Sequence, residues 1–384
     1  MGNEKNNKQI QIGGALSSFE KFLPLWIAIC IALGLLLSRV IPGVAQSIDS
    51  FKIGNVSVPI GICLFLMMYP AVMNIKGSEI RKLRKNPLPI VLTLVSNWLV
   101  APLVGAMLAG LLLPGQEQLI VAVILLSSSP CTAMVLVWGY LAGGNQEQNV
   151  VNTSINTITI IFGYAPMVGF LLTLQNIVFE TSIPVDWLTL LVTAAVFIGL
   201  PIVAAYFSKN YLIKTRGEKW FNEVFKEVLG KVAIGALLTT LVILFALNGQ
   251  VLFDNPSLLP LVSLPLLLGF AIVVSYNLVI TRLFKLRYRE AIITVIIGSS
   301  SHFEIAIASA IALYGVGSVA ALGTTMGLFW EVPVMLSLVY LGRALGRRGF
   351  WLPSPPLEGP DLVCKETARE VVTCEETDDP DERA

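Results

Sequence analysis

The sequence predicts an all-α polytopic membrane protein, with ten transmembrane helices in two inverted five-helix repeats whose broken fourth and ninth helices cross at the midplane. Three observations predict it. Of the 384 residues, 55% are hydrophobic and only 13% charged, with a mean hydropathy of +0.76, a balance that puts most of a chain this long in lipid. Apolar stretches of roughly 20 residues, the length that crosses a bilayer, recur ten times between Gly, Pro and charged punctuation. Two serine runs, Ser127-Ser128-Ser129-Pro130-Cys131 and Ser299-Ser300-Ser301-His302-Phe303-Glu304, interrupt two of these stretches at matching places in the two halves, the way inverted repeats build a midplane site.

The spans fall at about 22–40, 58–74, 88–113, 119–141, 154–179, 187–207, 228–248, 258–281, 291–314 and 320–341. They form one transporter-like domain over 22–341, with repeats of about 22–179 and 187–341, after an N-terminal segment 1–21. That segment carries Lys5, Lys8 and Lys21 but no small-residue cleavage site after an apolar run, so the first span is retained. Alternate loops are basic. Lys76, Arg81, Lys82, Arg84 and Lys85 share one side with Lys209, Lys214, Arg216, Lys219 and Lys226, with Arg282, Lys285, Arg287 and Arg289, and with Arg343, Arg347 and Arg348, while the opposite loops hold little beyond Lys52. The positive-inside rule then places both termini in the cytoplasm of a multi-pass cell-membrane protein. A net charge of +1 gives no reason to expect a nucleic-acid partner.

Because five is odd, the second set of spans enters the membrane from the other side, and the fourth and ninth become counterparts of opposite direction. Cys131 lies about 12 residues into its span, roughly 18 Å, and Glu304 about 13 residues into its own, roughly 20 Å, at the helical rise. Glu331, two residues before Pro333, reaches a similar depth. The serine runs read as an unwound crossing that lines a cavity; small residues for close helix packing are the alternative.

A carboxylate in a bilayer needs a reason. For Glu304 and Glu331 the usual one is carrying a proton, and the other is hydrogen bonding to neighbouring backbone. His302, the single histidine, either shares that proton or packs beside the serines, packing being the ordinary role. Cys131, beside a proline-broken polar run, is placed to meet a solute as a soft ligand, whereas Cys30 and Cys63 sit in ordinary apolar sequence and read as small hydrophobes. No phosphate-binding loop, triad or metal-ligand cluster is found, so neither an ATP-driven pump nor an enzyme is expected, nor a cofactor.

The stretch SSSPCTAMVLVWGYLAGGNQEQNVVNTSINTI at 127–158, GSSSHFEIAIASAIALYGVGS at 298–318 and WEVPVM at 330–335 together resemble the arsenite efflux permeases of the arsenical-resistance type, within the bile acid/arsenite/riboflavin transporter superfamily. The likeness covers nearly all of residues 20–345. It implies ten transmembrane helices, export of trivalent arsenic and often antimony, and exchange for protons, with the fourth-helix cysteine and ninth-helix glutamate essential. Those roles fall on Cys131, as the arsenic(III) ligand, and Glu304, with Glu331 as a second proton-coupling residue. The commonest pattern has Arg before the cysteine and Asn-Asn before Phe-Glu, where this chain has Pro130 and Ser301-His302.

The chemistry fits the resemblance. Arsenite near neutral pH is an uncharged trihydroxide that exchanges hydroxyl for thiolate; one cysteine binds it reversibly where three would hold it too tightly. Ser128, Ser129, Ser300, Ser301, Asn97, Asn152 and Asn156 are candidate hydrogen-bonding partners, or equally interhelical glue. Two other classes remain open: a sodium-coupled organic anion transporter of the bile acid type, with no need of Cys131, and a non-transporting membrane sensor, supported only by the tail. That tail, 350–384, opens with Pro353, Pro355, Pro356 and Pro360, carries ten Asp/Glu against three Lys/Arg from Glu358 onward, and reads as a disordered cytoplasmic segment. The nine-residue spacing of Cys364 and Cys374 matches no metal motif.

Overall fold

The computed structural model of the chain describes residues 23–41, 52–53, 56–73, 87–132, 134–354, 362–367 and 371–376. The N-terminal segment 1–21 and the basic residues Lys76, Arg81, Lys82, Arg84 and Lys85 lie outside them. Helices dominate: α1 (Leu23–Val40), α2 (Val58–Met73), α3 (Leu88–Leu112), α4 (Glu117–Ser127), α5 (Met134–Leu141), α6 (Gln146–Val178), α7 (Trp187–Arg216), α8 (Lys226–Asp254), α9 (Leu258–Leu283), α10 (Tyr288–Gly298), α11 (Phe303–Tyr314) and α12 (Val319–Arg347). Six of them, α3, α6, α7, α8, α9 and α12, are long and apolar enough to cross a membrane, and shorter apolar helices lie at Leu25–Val40, Val58–Pro70, Glu117–Ser127 and Phe303–Tyr314.

The helices sort into two packed groups. α1, α2, α7 and α8 form one panel, with α8 against both α1 and α2. Gly34 makes the α1–α8 approach possible, because a Cβ there would lie 2.7 Å from the carbonyl oxygen of Val242 and 2.8 Å from Cβ of Phe245. The second group holds α3, α4, α6, α9, α10 and α12, each packed on several of the others, and α11 joins it through α12 and α4 while also packing on α7. Large apolar side chains remain on the outside of the bundle, for instance Leu264, Leu268, Ile272 and Val279 along one face of α9. In water such a stripe would be a liability; facing lipid it is the expected exterior.

Two helices carry a π-helical turn shortly ahead of a proline, Ser96–Val100 before Pro102 in α3 and Ala195–Gly199 before Pro201 in α7. Proline lacks the N–H that would continue the regular ladder, and a widened turn takes up the mismatch. In α3 the wide turn buries both Ser96 and Asn97.

Two boundaries differ from the sequence expectation. α6 begins at Gln146 rather than near 154, because the Asn145 side chain caps it by accepting from the N–H groups of Glu147 and Gln148. The ordered chain also continues past 350: Trp351 is buried, its indole N–H donates to Thr281 Oγ1 at 3.0 Å, and Leu352 pairs with Arg287, so this segment folds back over the start of α10. Within the tail expected to be disordered, β1 (Leu362–Thr367) and β2 (Val371–Glu376) pair antiparallel with Cys364 opposite Cys374. Val371, Val372 and Thr373 open the second of these strands, and β-branched residues favour extended backbone.

Candidate functional site

Each serine run ends a helix. After α4 the regular bonding stops at Ser128, whose φ of −90° and ψ of 1° leave the helix, and Pro130 has no N–H with which to resume it. After α10 the same happens at Ser299, with φ −113° and ψ 3°. The two interruptions then meet. Pro130 and Ser301 form an isolated antiparallel bridge, and the His302 N–H donates to the Ser129 carbonyl at 2.6 Å. Backbone groups freed by one broken helix are thus satisfied by the other, which is how irregular chain survives in an apolar bundle.

Around this crossing the structure gathers most of the residues the sequence singled out. Cys131 is 1% exposed and Glu304, in the first turn of α11, 4% exposed. The Cys131 carbonyl accepts from Asn156 Nδ2 at 3.1 Å, and Asn97 Nδ2 donates to Asn156 Oδ1 at 3.4 Å, so α3 and α6 together brace the first break. Asn152 Nδ2 instead reaches Thr93 Oγ1 at 3.2 Å, one turn before Asn97 in α3. Because α6 starts at Gln146, Asn152 and Asn156 belong to its second and third turns rather than its start.

The serines divide by role. Ser129 Oγ turns back to the carbonyls of Leu125 and Leu126, at 3.1 and 2.9 Å. Ser300 Oγ donates to Glu331 Oε1 at 2.6 Å, Ser301 Oγ to Oε2 at 2.7 Å, and the Ser301 N–H to Oε1 at 3.2 Å. Glu331, 2% exposed on α12, therefore pins the second break by three donors. Ser128 is the exception among the candidate serines: its buried hydroxyl has no hydrogen-bond partner among the described residues, and Asn152 Oδ1 shares that condition. The same holds for Glu304 Oε2, which lies 3.8 Å from His302 Nε2, beyond a direct bond.

Two contributors were missed from the sequence. Ser96 Oγ donates to the Gly298 carbonyl at 2.8 Å, and Asn277 Nδ2 on α9 reaches Ser96 Oγ at 2.8 Å and Ser299 Oγ at 3.1 Å. The signal was available: Asn277 is an amide inside an apolar span of the second half, as Asn97 is in the first.

A cleft of about 550 Å³, counting its open mouth, runs between α3, α4, α9 and α12; its lining includes Gly105, Ser127, Gly327 and the three serines Ser299, Ser300 and Ser301. Neither Cys131 nor Glu304 lines it. The cleft reaches the second serine run, while the thiol and the carboxylate are buried outside its lining.

Residues 61–255 match the model of a family described as Sodium Bile acid symporter family. An uncharacterized transporter of Synechocystis sp. is 40% identical over 375 residues, covering 93% of this chain and 96% of that protein. The arsenical-resistance protein Acr3 of Alkaliphilus metalliredigens is 32% identical over 365 residues, 92% of this chain and 98% of that protein. A second arsenical-resistance protein Acr3, from Corynebacterium glutamicum, is 29% identical over 355 residues, 91% and 95% of the two chains.

Proposed function

This chain belongs to the Sodium Bile acid symporter family, and on that premise we propose that it is a secondary transporter exporting arsenite from the cytoplasm in exchange for protons, with antimonite as a candidate second solute. Membership makes it a multi-pass membrane transporter; the solute and the coupling are our reading. The observation that carries the reading is one buried thiol, Cys131, and one buried carboxylate, Glu304, brought from distant parts of the sequence to one helix crossing. Similarity over more than 90% of the chain to two arsenical-resistance proteins supports the choice of solute.

Ten membrane crossings in two inverted repeats, with both termini in the cytoplasm of a cell membrane, complete the proposal. In it, trihydroxyarsenic exchanges one hydroxyl for Cys131: a sulfur–arsenic bond forms, an arsenic–oxygen bond breaks, and the thiol proton leaves with the departing hydroxide as water. The reverse step releases the solute on the other side. Glu304 takes up a proton from outside as the solute leaves and gives it up to the cytoplasm before the next one binds, with Glu331 as a second carboxylate in the coupling. Since the solute is neutral, inward proton movement supplies the drive, to which the membrane potential adds about 2.3 kcal/mol per 100 mV for each charge moved. Both groups are closed off from solvent, so access requires the two packed groups of helices to move relative to each other.

The test is arsenite uptake into everted vesicles under an imposed proton gradient and, separately, a sodium gradient. We expect proton-driven uptake, lost in Cys131→Ser and in Glu304→Gln although both variants insert in the membrane at native level. Sodium-driven movement of an organic anion, with no arsenite uptake, would move the chain to the reading its family's description suggests. Full activity in either variant rejects the residue assignment.

A further inference from the structure

We propose that His302 is a solute-contacting residue which, with Ser128, hydrogen-bonds the hydroxyl groups of a neutral trivalent oxyacid held at Cys131. The inference rests on the arsenite reading and deepens it. His302 is 1% exposed, and neither of its ring nitrogens has a hydrogen-bond partner among the described residues. Ser128 is fully buried and its hydroxyl is in the same condition. A buried polar group left unpaired is costly, and each such group in a native structure calls for an explanation.

The surroundings supply one. Every other candidate hydroxyl at the crossing is spent inside the protein, Ser129 on its own helix and Ser300 and Ser301 on Glu331. His302 is the N-cap residue of α11, yet its side chain makes no capping bond. Its backbone is fixed at the same time: the N–H to Ser129 carbonyl bond of 2.6 Å anchors it directly beside the run that holds Ser128 and Cys131. Glu304 Oε2, also unpartnered, is 3.8 Å from Nε2, so the ring and the carboxylate stand beside each other without bonding. Ring and carboxylate belong to the second broken helix and the serine hydroxyl to the first, and all three are buried without partners among the described residues where the two backbones meet.

A neutral imidazole offers one N–H donor and one nitrogen acceptor, and a serine hydroxyl offers both. An As–OH group also donates and accepts. The set thus matches a trihydroxide that attaches to sulfur through one position and presents its remaining hydroxyls to the wall. A site built to bond a hydroxyl rejects analogues that lack it far better than an apolar pocket rejects an added group. His302 then sets selectivity for the trihydroxide over an arsenical in which methyl replaces hydroxyl.

Sodium arsenite uptake by everted, acid-inside vesicles should show a KM raised about tenfold in His302→Leu and in His302→Ala, with His302→Gln, which keeps a donor and an acceptor, nearer the native value. Purified full-length protein supplies the second readout. His302→Leu should melt no lower than the native chain without arsenite, because it removes unpaired buried nitrogens, and should lose the rise in Tm that arsenite gives the native protein. A histidine that merely packs predicts the opposite, a KM within twofold of native in His302→Leu with the arsenite-dependent Tm rise retained, and that result overturns the proposal. Should His302→Leu fail to fold, the contrast between Gln and Ala decides in the same way. No uptake by the native chain overturns the arsenite reading and this inference together, whereas native uptake with an indifferent His302 overturns this inference alone.

Discussion

The two interrupted helices are built from the same serine-rich sequence and yet are held in different ways. The serine hydroxyls of the first break bond locally: Ser127 and Ser129 donate to carbonyls three and four residues back in α4, Pro130 stops the helix, and the tie to the bundle runs through the Cys131 carbonyl to Asn156. The second is secured at a distance, by a carboxylate on α12 and an amide on α9. A hydroxyl bonded to its own helix adds little, because the helix stands without it. A hydroxyl bonded to a buried carboxylate couples two elements, and removing either partner strands the other. The second break is therefore the one whose serine side chains are tied to other helices, and it is also the one that carries His302 and Glu304.

That contrast can be broken most sharply at Glu331. Replacing it by Leu leaves the Ser300 and Ser301 hydroxyls and the Ser301 N–H without their acceptor, and we expect a loss on the order of 3 kcal/mol or more, read as a fall of several degrees in the Tm of detergent-purified protein followed by tryptophan fluorescence. Glu331→Gln, which keeps one oxygen, should recover part of it. Asn277→Leu comes next. It removes the donor shared by Ser96 and Ser299 at about 2 kcal/mol, and a double-mutant cycle with Ser299→Ala should show coupling where a Ser129→Ala partner shows none. The smallest effect is expected from Ser129→Ala itself, whose hydroxyl bonds only within its helix; a change of at most about 0.5 kcal/mol is predicted. A loss at Ser129 as large as that at Glu331 would end the distinction between a local and a distant lock.

Much of this site was legible before any fold was known. The serine runs at matching places announced two helix breaks, and both occur where the runs are, since Ser competes for backbone bonds and Pro130 cannot donate one. Glu331 was readable as a buried carboxylate but not as the partner of Ser300 and Ser301, because a contact across 30 residues depends on how α12 lies against α10 and α11. Asn277 went unnoticed for a related reason: an amide in an apolar span looks like any interhelical bond until its partners are known. His302 reads from the sequence as a residue that either packs or shares a proton, and the lack of a partner for either nitrogen among the described residues sets it apart.

By itself the sequence determined what each segment must do with its own backbone: which stretches are apolar enough to be helices in lipid, where serine and proline end them, and that a thiol and two carboxylates are buried. Those are properties of neighbours along the chain, governed by side-chain transfer energies and local bonding. The tertiary structure decided which broken end meets which, that Pro130 pairs with Ser301, and that Glu331 is tied up while His302 and Ser128 are not. Those outcomes depend on helix packing between residues far apart in sequence, where a difference of an ångström makes or loses a hydrogen bond.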